Sequence, residues 1–318
     1  MSSQRVLVCG SVAFDTIMVF GDRFREHILP DQTHILNVSF QVTEMRREFG
    51  GTAANIAYNL KQIGGEPVVM ATIGTDGLSC RERLEGLGVA LDGLRLIEGS
   101  YTAQAYIITD LDDNQITAFH PGAMNQSHQN AVTDIPDLAL GIVAPDGREG
   151  MLAHARQFAS AGIPFVFDPG QGLPLFAGPE LLDIIDRATY LTVNDYEGQM
   201  IQQKTGLGLE RLAERLIRRG GALIVTLGAH GSRIYHGDGV LKMAAVHPRA
   251  VVDPTGCGDA YRAGLLYGIV NGWDWKRTGR LASLLGAIKV ASRGAQNHVV
   301  NRDELSALYF QRFQEPLW

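Results

Sequence analysis

The spacing of apolar positions changes repeatedly along the chain, and each change marks a new element. Residues 6–12 form a short apolar run ending in small residues, the pattern of a buried strand. Residues 53–63 (AANIAYNLKQI) put Ile56, Ala57, Leu60 and Ile63 on one face, which is helical spacing. Residues 68–73 read as a strand and 80–87 as a helix. Farther along, the pattern predicts strands over 164–168, 190–194 and 223–227 and a helix over 209–219. Strands alternating with helices build a parallel sheet covered on both faces. In such sheets ligands bind beyond the carboxyl ends of the strands.

Two stretches break this rhythm. Residues 105–110 (AYIITD) and 115–120 (QITAFH) read as strands joined by Leu-Asp-Asp-Asn, a hairpin. Residues 15–49 hold several short β-like runs and no long helix. Together they predict a small β-rich lid, drawn from about 15–49 and 100–124, on a single domain spanning 1–318. A second hairpin is expected around Gly237, Asp238 and Gly239. Asp113 and Asn114 are what a turn requires and are not counted as site residues.

Composition narrows the classes. At 45% hydrophobic residues the chain can bury a large core, and a formal charge of −6 gives no reason to expect a nucleic-acid partner. Arg215, Arg218 and Arg219 read as the solvated face of a helix. The three cysteines (Cys9, Cys80 and Cys257) are not spaced as a metal pair, and an odd count does not suit a disulfide framework. The N-terminal residues run straight into a strand, and no apolar stretch reaches membrane-spanning length. A cytoplasmic setting without a membrane partner is the expectation.

The sharpest chemistry lies in Asp253-Pro-Thr-Gly-Cys-Gly-Asp259-Ala-Tyr-Arg-Ala-Gly264. It follows the β-like Val251-Val252 and opens a run of helical spacing. Gly256 and Gly258 allow a tight turn with unobstructed amides. At a helix N-terminus such amides favour an anion. A carboxylate held beside a bound phosphate can accept the proton of an attacking hydroxyl. The same spacing also suits a plain strand-to-helix turn in which Asp259 only stabilises the helix start. The sequence has neither GxxxxGK[ST] nor GxGxxG.

DPTGCGDAYRAG resembles the C-terminal signature of the PfkB, or ribokinase-like, carbohydrate kinases. Residues 49–60, beginning Phe49-Gly50-Gly51-Thr-Ala-Ala-Asn55, are similar to that family's N-terminal signature. The resemblance implies a ribokinase-like α/β fold: a doubly wound, mostly parallel sheet with helices on both faces, plus the β-rich lid. It implies ATP as phosphoryl donor, accompanied by Mg²⁺. Asp259 is then the base, and the amides of Gly256, Cys257 and Gly258 form the anion hole; a reactive thiol at Cys257 is the lesser reading. Asp15 accepts sugar hydroxyls, Gly50 and Gly51 let backbone approach the sugar, and Asn55 donates to a sugar oxygen. Asn59, one turn on, reads as structural. Asn194 and Glu197 match the family's NxxE segment, with Glu197 acting on Mg²⁺ through water. Thr226, Gly228 and Gly231 match a turn beside ATP, and Asn297 a nucleotide contact. Some members bind a monovalent cation, K⁺, behind the anion hole; Asp253 and the carbonyls near Ser292 and Gly294 are the positions to suspect. The nine histidines form no cluster of ligand spacing, so no zinc or iron site is expected.

The family's phosphate chemistry is shared, so the catalytic motif does not select the acceptor. Residues 49–60, 116–125 and 291–298 resemble bacterial adenosine and broad-specificity nucleoside kinases. Phe14, Phe119 and Met124 lie where they could line a pocket for a base, or simply pack the lid. Adenosine is the expected acceptor, with another nucleoside or a simple sugar as alternatives. A non-catalytic binding protein and a nicotinamide-dependent dehydrogenase are the rival classes. A homodimer through the lid is a further expectation.

Overall fold

The computed structural model describes residues 4–28, 38–112 and 114–318. Its first half runs β1 (Arg5–Cys9), β2 (Ala13–Phe20), α1 (Phe24–His27), β3 (Val42–Gly50), α2 (Thr52–Gln62), β4 (Glu66–Ile73), α3 (Leu78–Gly86), β5 (Ala90–Leu96), β6 (Ala103–Thr109), β7 (Gln115–His120), β8 (Leu138–Val143) and α4 (Arg148–Ala161). Then follow β9 (Phe165–Phe167), α5 (Gly178–Arg187), β10 (Tyr190–Asn194), α6 (Asp195–Thr205), α7 (Leu209–Ile217), β11 (Ala222–Thr226), β12 (Ser232–His236), β13 (Gly239–Met243), α8 (Cys257–Val270), α9 (Trp275–Val290) and α10 (Arg302–Phe313).

Nine strands form one sheet in the order β13-β12-β11-β10-β9-β8-β1-β4-β5. From β11 to β5 neighbours are parallel; β12 and β13 close one edge as an antiparallel hairpin. Side chains of a strand alternate between faces, and β1 shows the result. Val6 and Val8 join the core under α2 and α8, whereas Leu7 and Cys9 join the core under α4, α5 and α7. Both faces are therefore buried, as the run of apolar residues requires. The chain turns opposite ways from β1 to β4 and from β8 to β9, so the topological switch point lies between β1 and β8.

The second sheet has four strands in the order β3-β2-β6-β7. Its register aligns Glu48, Asp15, Ala105 and Phe119 in one row across the sheet. Residues in such a row project to the same face. Every residue of the edge strand β7 is exposed. The predicted hairpin of β6 and β7 is present; Asp113 in its turn lies outside the described residues, as do 1–3 and 29–37.

The predicted strands and helices occur with their ends moved by a few residues; β1 stops at Cys9, where the chain bends at Gly10 into the second sheet. Gly10 has no room for a side chain, since a Cβ there would stand 2.7 Å from Thr52 Oγ1. In the basic stretch Leu216 is buried, while Arg215 bonds Asp186 on the surface. Among the described residues no helix is long and apolar enough to cross a membrane.

Phe158 of α4 is fully buried and stacks on Phe165 of β9 at 5.4 Å. Its ring fills the space above Gly141. Phe158→Ala should lower the unfolding free energy by roughly 3–5 kcal/mol, read from urea denaturation. A loss below about 1 kcal/mol would show that this layer does not hold the sheet.

Candidate active site

Helix α8 begins at the glycine turn. Gly256 is its N-cap and takes the left-handed conformation, φ 77°. A side chain there would also meet Ala295 Cβ at 2.7 Å. Asp259 sits in the first turn, and the amide of Cys257 donates to Pro254 O at 3.1 Å within the turn. Burial pushes the Asp259 carboxyl up to about 6, against the opposing pull of Asn55 and Arg262. Burial likewise pushes the Cys257 thiol up to about 11, so it stays protonated, which disfavours the reactive-thiol reading.

Asn55 of α2 reaches Asp259 across the site. Its Nδ2 donates to Asp259 Oδ2 at 2.8 Å, and its Oδ1 accepts from Gln296 Nε2 at 2.9 Å. Gln296 is in turn held by Arg83. Asn59 donates to Asn55 O and bonds His298 Nε2 at 2.7 Å, a structural role. Gly51, the N-cap of α2, has φ 90°, and a Cβ on it would stand 2.5 Å from Ser11 O.

Asp15 faces this corner from the second sheet. A Cβ on Gly50 would lie 2.5 Å from Asp15 Oδ2, so Gly50 makes room for that carboxylate. Burial, with the charges of Asp253 and Glu48, pushes Asp15 up to about 6. Asp15 also raises Asp259, which brings the two carboxylates into one field. Phe119 stands two strands from Asp15 in the same row, about 10 Å away, and is 53% exposed. Met124 is half-buried in the 3₁₀ turn Gly122–Gln129. Phe14 is buried, with Phe49 6.0 Å away and the Arg47 guanidinium 3.5 Å over its ring; that face is already covered.

On the other side of α8, Arg262 forms a buried fork with Asp168 at the end of β9, at 2.7 and 2.9 Å. Asn194 and Glu197 form a capping box at the start of α6: Asn194 Oδ1 accepts from Glu197 N at 2.7 Å, and Glu197 accepts from Asn194 N and Nδ2 at 2.8 and 2.9 Å. Burial and the charge of Asp168 raise the Glu197 carboxyl above its ordinary value. Thr226 lies beside Asn194 in register, at the carboxyl end of β11. Gly228 (φ 56°) has open space where a side chain would be, whereas Gly231 (φ 90°) is packed against the backbone of Met243. Asn297 goes to the second sheet instead, donating to Glu48 Oε2 at 2.8 Å.

Asp253 accepts the amides of Thr255 and Gly294 at 2.9 and 2.8 Å. Burial pushes its carboxyl up, but these amides outweigh it and hold the group below its ordinary value. Its carbonyl accepts from Lys289 Nζ at 2.8 Å. Sequence reading did not single out Arg83, Asp168, Arg262, Lys289 or Gln296. Arg262 sits inside the quoted motif, three residues past Asp259, and that placement was the available signal. Gln296 likewise sits inside the segment 291–298, beside Asn297, whereas Arg83, Asp168 and Lys289 stand in no such segment.

The pfkB family carbohydrate kinase model matches residues 15–302. The chain is similar to the nucleoside kinase of Burkholderia thailandensis in complex with inosine, with 48% identity, TM-score 0.90 and 98% of both chains covered. The same enzyme in complex with ADP-inosine gives 51% identity and TM-score 0.86, covering 98% of this chain and 97% of that one. A nucleoside kinase of Methanothermobacter thermautotrophicus is 32% identical over 96% of this chain and 95% of its own. The chain belongs to the pfkB family of carbohydrate kinases, phosphotransferases that act on a hydroxyl group, and it has their ribokinase-like fold.

An aspartate held near 6 weakens the fold that contains it. Below its ordinary value of 3.8, Asp259 is protonated in both folded and unfolded chains and costs nothing; the cost grows up to about 6 and is complete above it. Asp259→Asn should therefore stabilise the protein by ~1–3 kcal/mol above that window, with the gain vanishing below about pH 4. Equal effects at both ends, measured by urea unfolding, would rule out a strained carboxylate here.

Proposed function

We propose that this pfkB-family chain transfers the γ-phosphoryl group of ATP to the ribose 5′-hydroxyl of a nucleoside, with adenosine as acceptor and AMP and ADP as products. The observation that carries this reading is the placement of Asp259. A half-buried carboxylate with a pKa raised to about 6 stands in the first turn of α8, behind a left-handed glycine, bonded to Asn55. A base poised near the working pH, next to amides that favour an anion, is what proton removal coupled to phosphoryl transfer needs.

The other roles follow from the same corner. Asp15 accepts hydroxyls of the ribose, for which a carboxylate has several free lone pairs. Asn55 Nδ2 carries two hydrogens; one holds Asp259 and the other is available to a sugar oxygen. The amides of Gly256 and Gly258 would serve the transferring group, with that of Cys257 joining them only on giving up its bond to Pro254 O, and Asn194, Thr226 and Gly228 stand at the carboxyl ends of β10 and β11 for the donor. Phe119, exposed in the row of Asp15, offers a face on which a base can stack, and Met124 lies beyond its strand. The edge strand β7 is the surface through which a homodimer through the lid would pair. Three free cysteines suit a cytoplasmic setting.

Mg²⁺ fits this donor set. Each oxygen of Glu197 accepts one bond from Asn194 and keeps a lone pair, so the carboxylate is aimed and still able to hold a water of the ion. When bound, the ion neutralises charge on the phosphates. The residues of the chain do the rest: they orient the hydroxyl, take its proton and exclude water under the small sheet. The inosine complexes of the B. thailandensis enzyme favour a second reading, in which the same site accepts several nucleosides.

Release of ADP with adenosine, inosine and ribose, measured in parallel, separates these readings; activity on ribose alone removes the nucleoside assignment, and none on any removes the kinase. Asp259→Asn should lower kcat by about 10²–10⁴-fold with acceptor KM little changed. Asp15→Ala should act mainly on acceptor KM. Because Asp15 and Asp259 are both pushed up to about 6, kcat/KM should fall as pH drops through that value, with an apparent pKa belonging to the pair. A profile that stays flat well below 6 would remove both carboxylates from the mechanism.

A further inference from the structure

Lys289 has a place in neither the chemistry above nor the apolar packing. It lies in the last turn of α9, is wholly buried, and donates from Nζ to Asp253 O at 2.8 Å and Ser292 O at 3.0 Å. A buried ammonium persists only where hydrogen bonds and opposite charge compensate its desolvation. Both are present: the two carbonyls accept from it, and although burial holds its pKa below the ordinary lysine value, the charges of Asp253 and Asp259 oppose that pull.

The position is specific. Val252 N and Asp253 N both donate to Val290 O, at 2.9 and 3.1 Å, and Gly294 N donates to Asp253 Oδ2 at 2.8 Å. Lys289 completes this knot between the segment after α9 and the segment that leads into the glycine turn. Cys257, the first residue of α8, feels its charge. The positive group thus sits behind the amides expected to face the transferring phosphoryl. These are also the loops in which the family resemblance puts a monovalent cation, with Asp253 and the carbonyls near Ser292 and Gly294 as its holders. The residues present do not fit that ion. A cation seeking the carbonyls of Asp253 and Ser292 would meet a second positive charge already hydrogen-bonded to them, in a site with little water to screen the repulsion.

We propose that Lys289 is a positioning residue whose ammonium supplies, from within the chain, the charge that a bound monovalent cation supplies in other members of the family, so that phosphoryl transfer here does not require K⁺. The ammonium is a permanent occupant: it holds the two carbonyls, fixes the glycine turn and keeps a positive charge behind the anion.

The test compares the protein in KCl with the protein in tetramethylammonium chloride at equal ionic strength. The wild type should show kcat within about 2-fold in the two salts, and the same thermal midpoint. Lys289→Ala, with the carbonyls exposed to an empty space, should lose roughly 10-fold or more in kcat without K⁺ and recover much of it with K⁺, while KM for the acceptor moves little. Its thermal midpoint should rise with K⁺ as a bound ligand requires. Lys289→Arg should keep the insensitivity of the wild type to the salt. A wild type stimulated about 10-fold by K⁺, or Lys289→Ala fully active in tetramethylammonium, overturns the proposal. Should Lys289→Ala not fold, the wild-type salt comparison and Lys289→Arg decide it. The thermal measurement requires no substrate; should no acceptor be phosphorylated, a wild-type midpoint raised by K⁺ would still refute the lysine assignment, and an unmoved one would uphold it while the kinase reading alone fell.

Discussion

One hydrogen bond organises the site: Asn55 Nδ2 to Asp259 Oδ2, 2.8 Å long between residues 204 apart. It joins the first turns of α2 and α8, two helices that pack against each other over the switch point of the main sheet. Each helix starts at a glycine with positive φ, Gly51 and Gly256, because only a residue without Cβ can turn there as tightly as the neighbouring backbone demands. The bond is charge-assisted and partly withdrawn from water, which makes it stronger than its surface equivalents and its loss more damaging. It also carries a tension: the same burial that strengthens it makes the carboxylate hard to ionise. A base needs that compromise, and a residue that merely started a helix would not.

Much of this was legible in the chain. The period of apolar residues gave β1, α2 and β10, since each sits in a largely buried environment that leaves a clean pattern, while the terminal hairpin, mostly exposed along β13, was marked by Gly237, Asp238 and Gly239. Helices α4 and α9 were not assigned; their faces are interrupted by Gly150 and by Thr278 and Gly279, small or polar residues buried for close packing rather than for hydrophobicity. The two glycine-bearing segments announced the site because tight turns restrict residue type. Side chains that act through backbone oxygens did not. Lys289 bonds two carbonyls, and a carbonyl leaves no trace in the identity of the residue that bears it. Asp168 and Arg262 are 94 residues apart and meet only because β9 ends beside α8. Asn297 shows the converse: its place in the sequence suggested the nucleotide, whereas its amide lies on Glu48.

The charges around α8 sort themselves by partner. Asp168 is forked by Arg262, and Asp253 is held low by two backbone amides with Lys289 close by. These are finished interactions, each carboxylate already holding its partners. Asp259 and Asp15 are different. Burial pushes both up to about 6, and what opposes it in Asp259, an amide and a guanidinium engaged elsewhere, is not enough to bring it back. Environments that drive neighbouring carboxyl groups apart in pKa separate structural acids from working ones. By that criterion the corner contains two carboxylates with unmet demand, and under the proposed function a hydroxyl-bearing sugar would satisfy both: it would donate hydrogen bonds to Asp15 and, at the moment of transfer, a proton to Asp259.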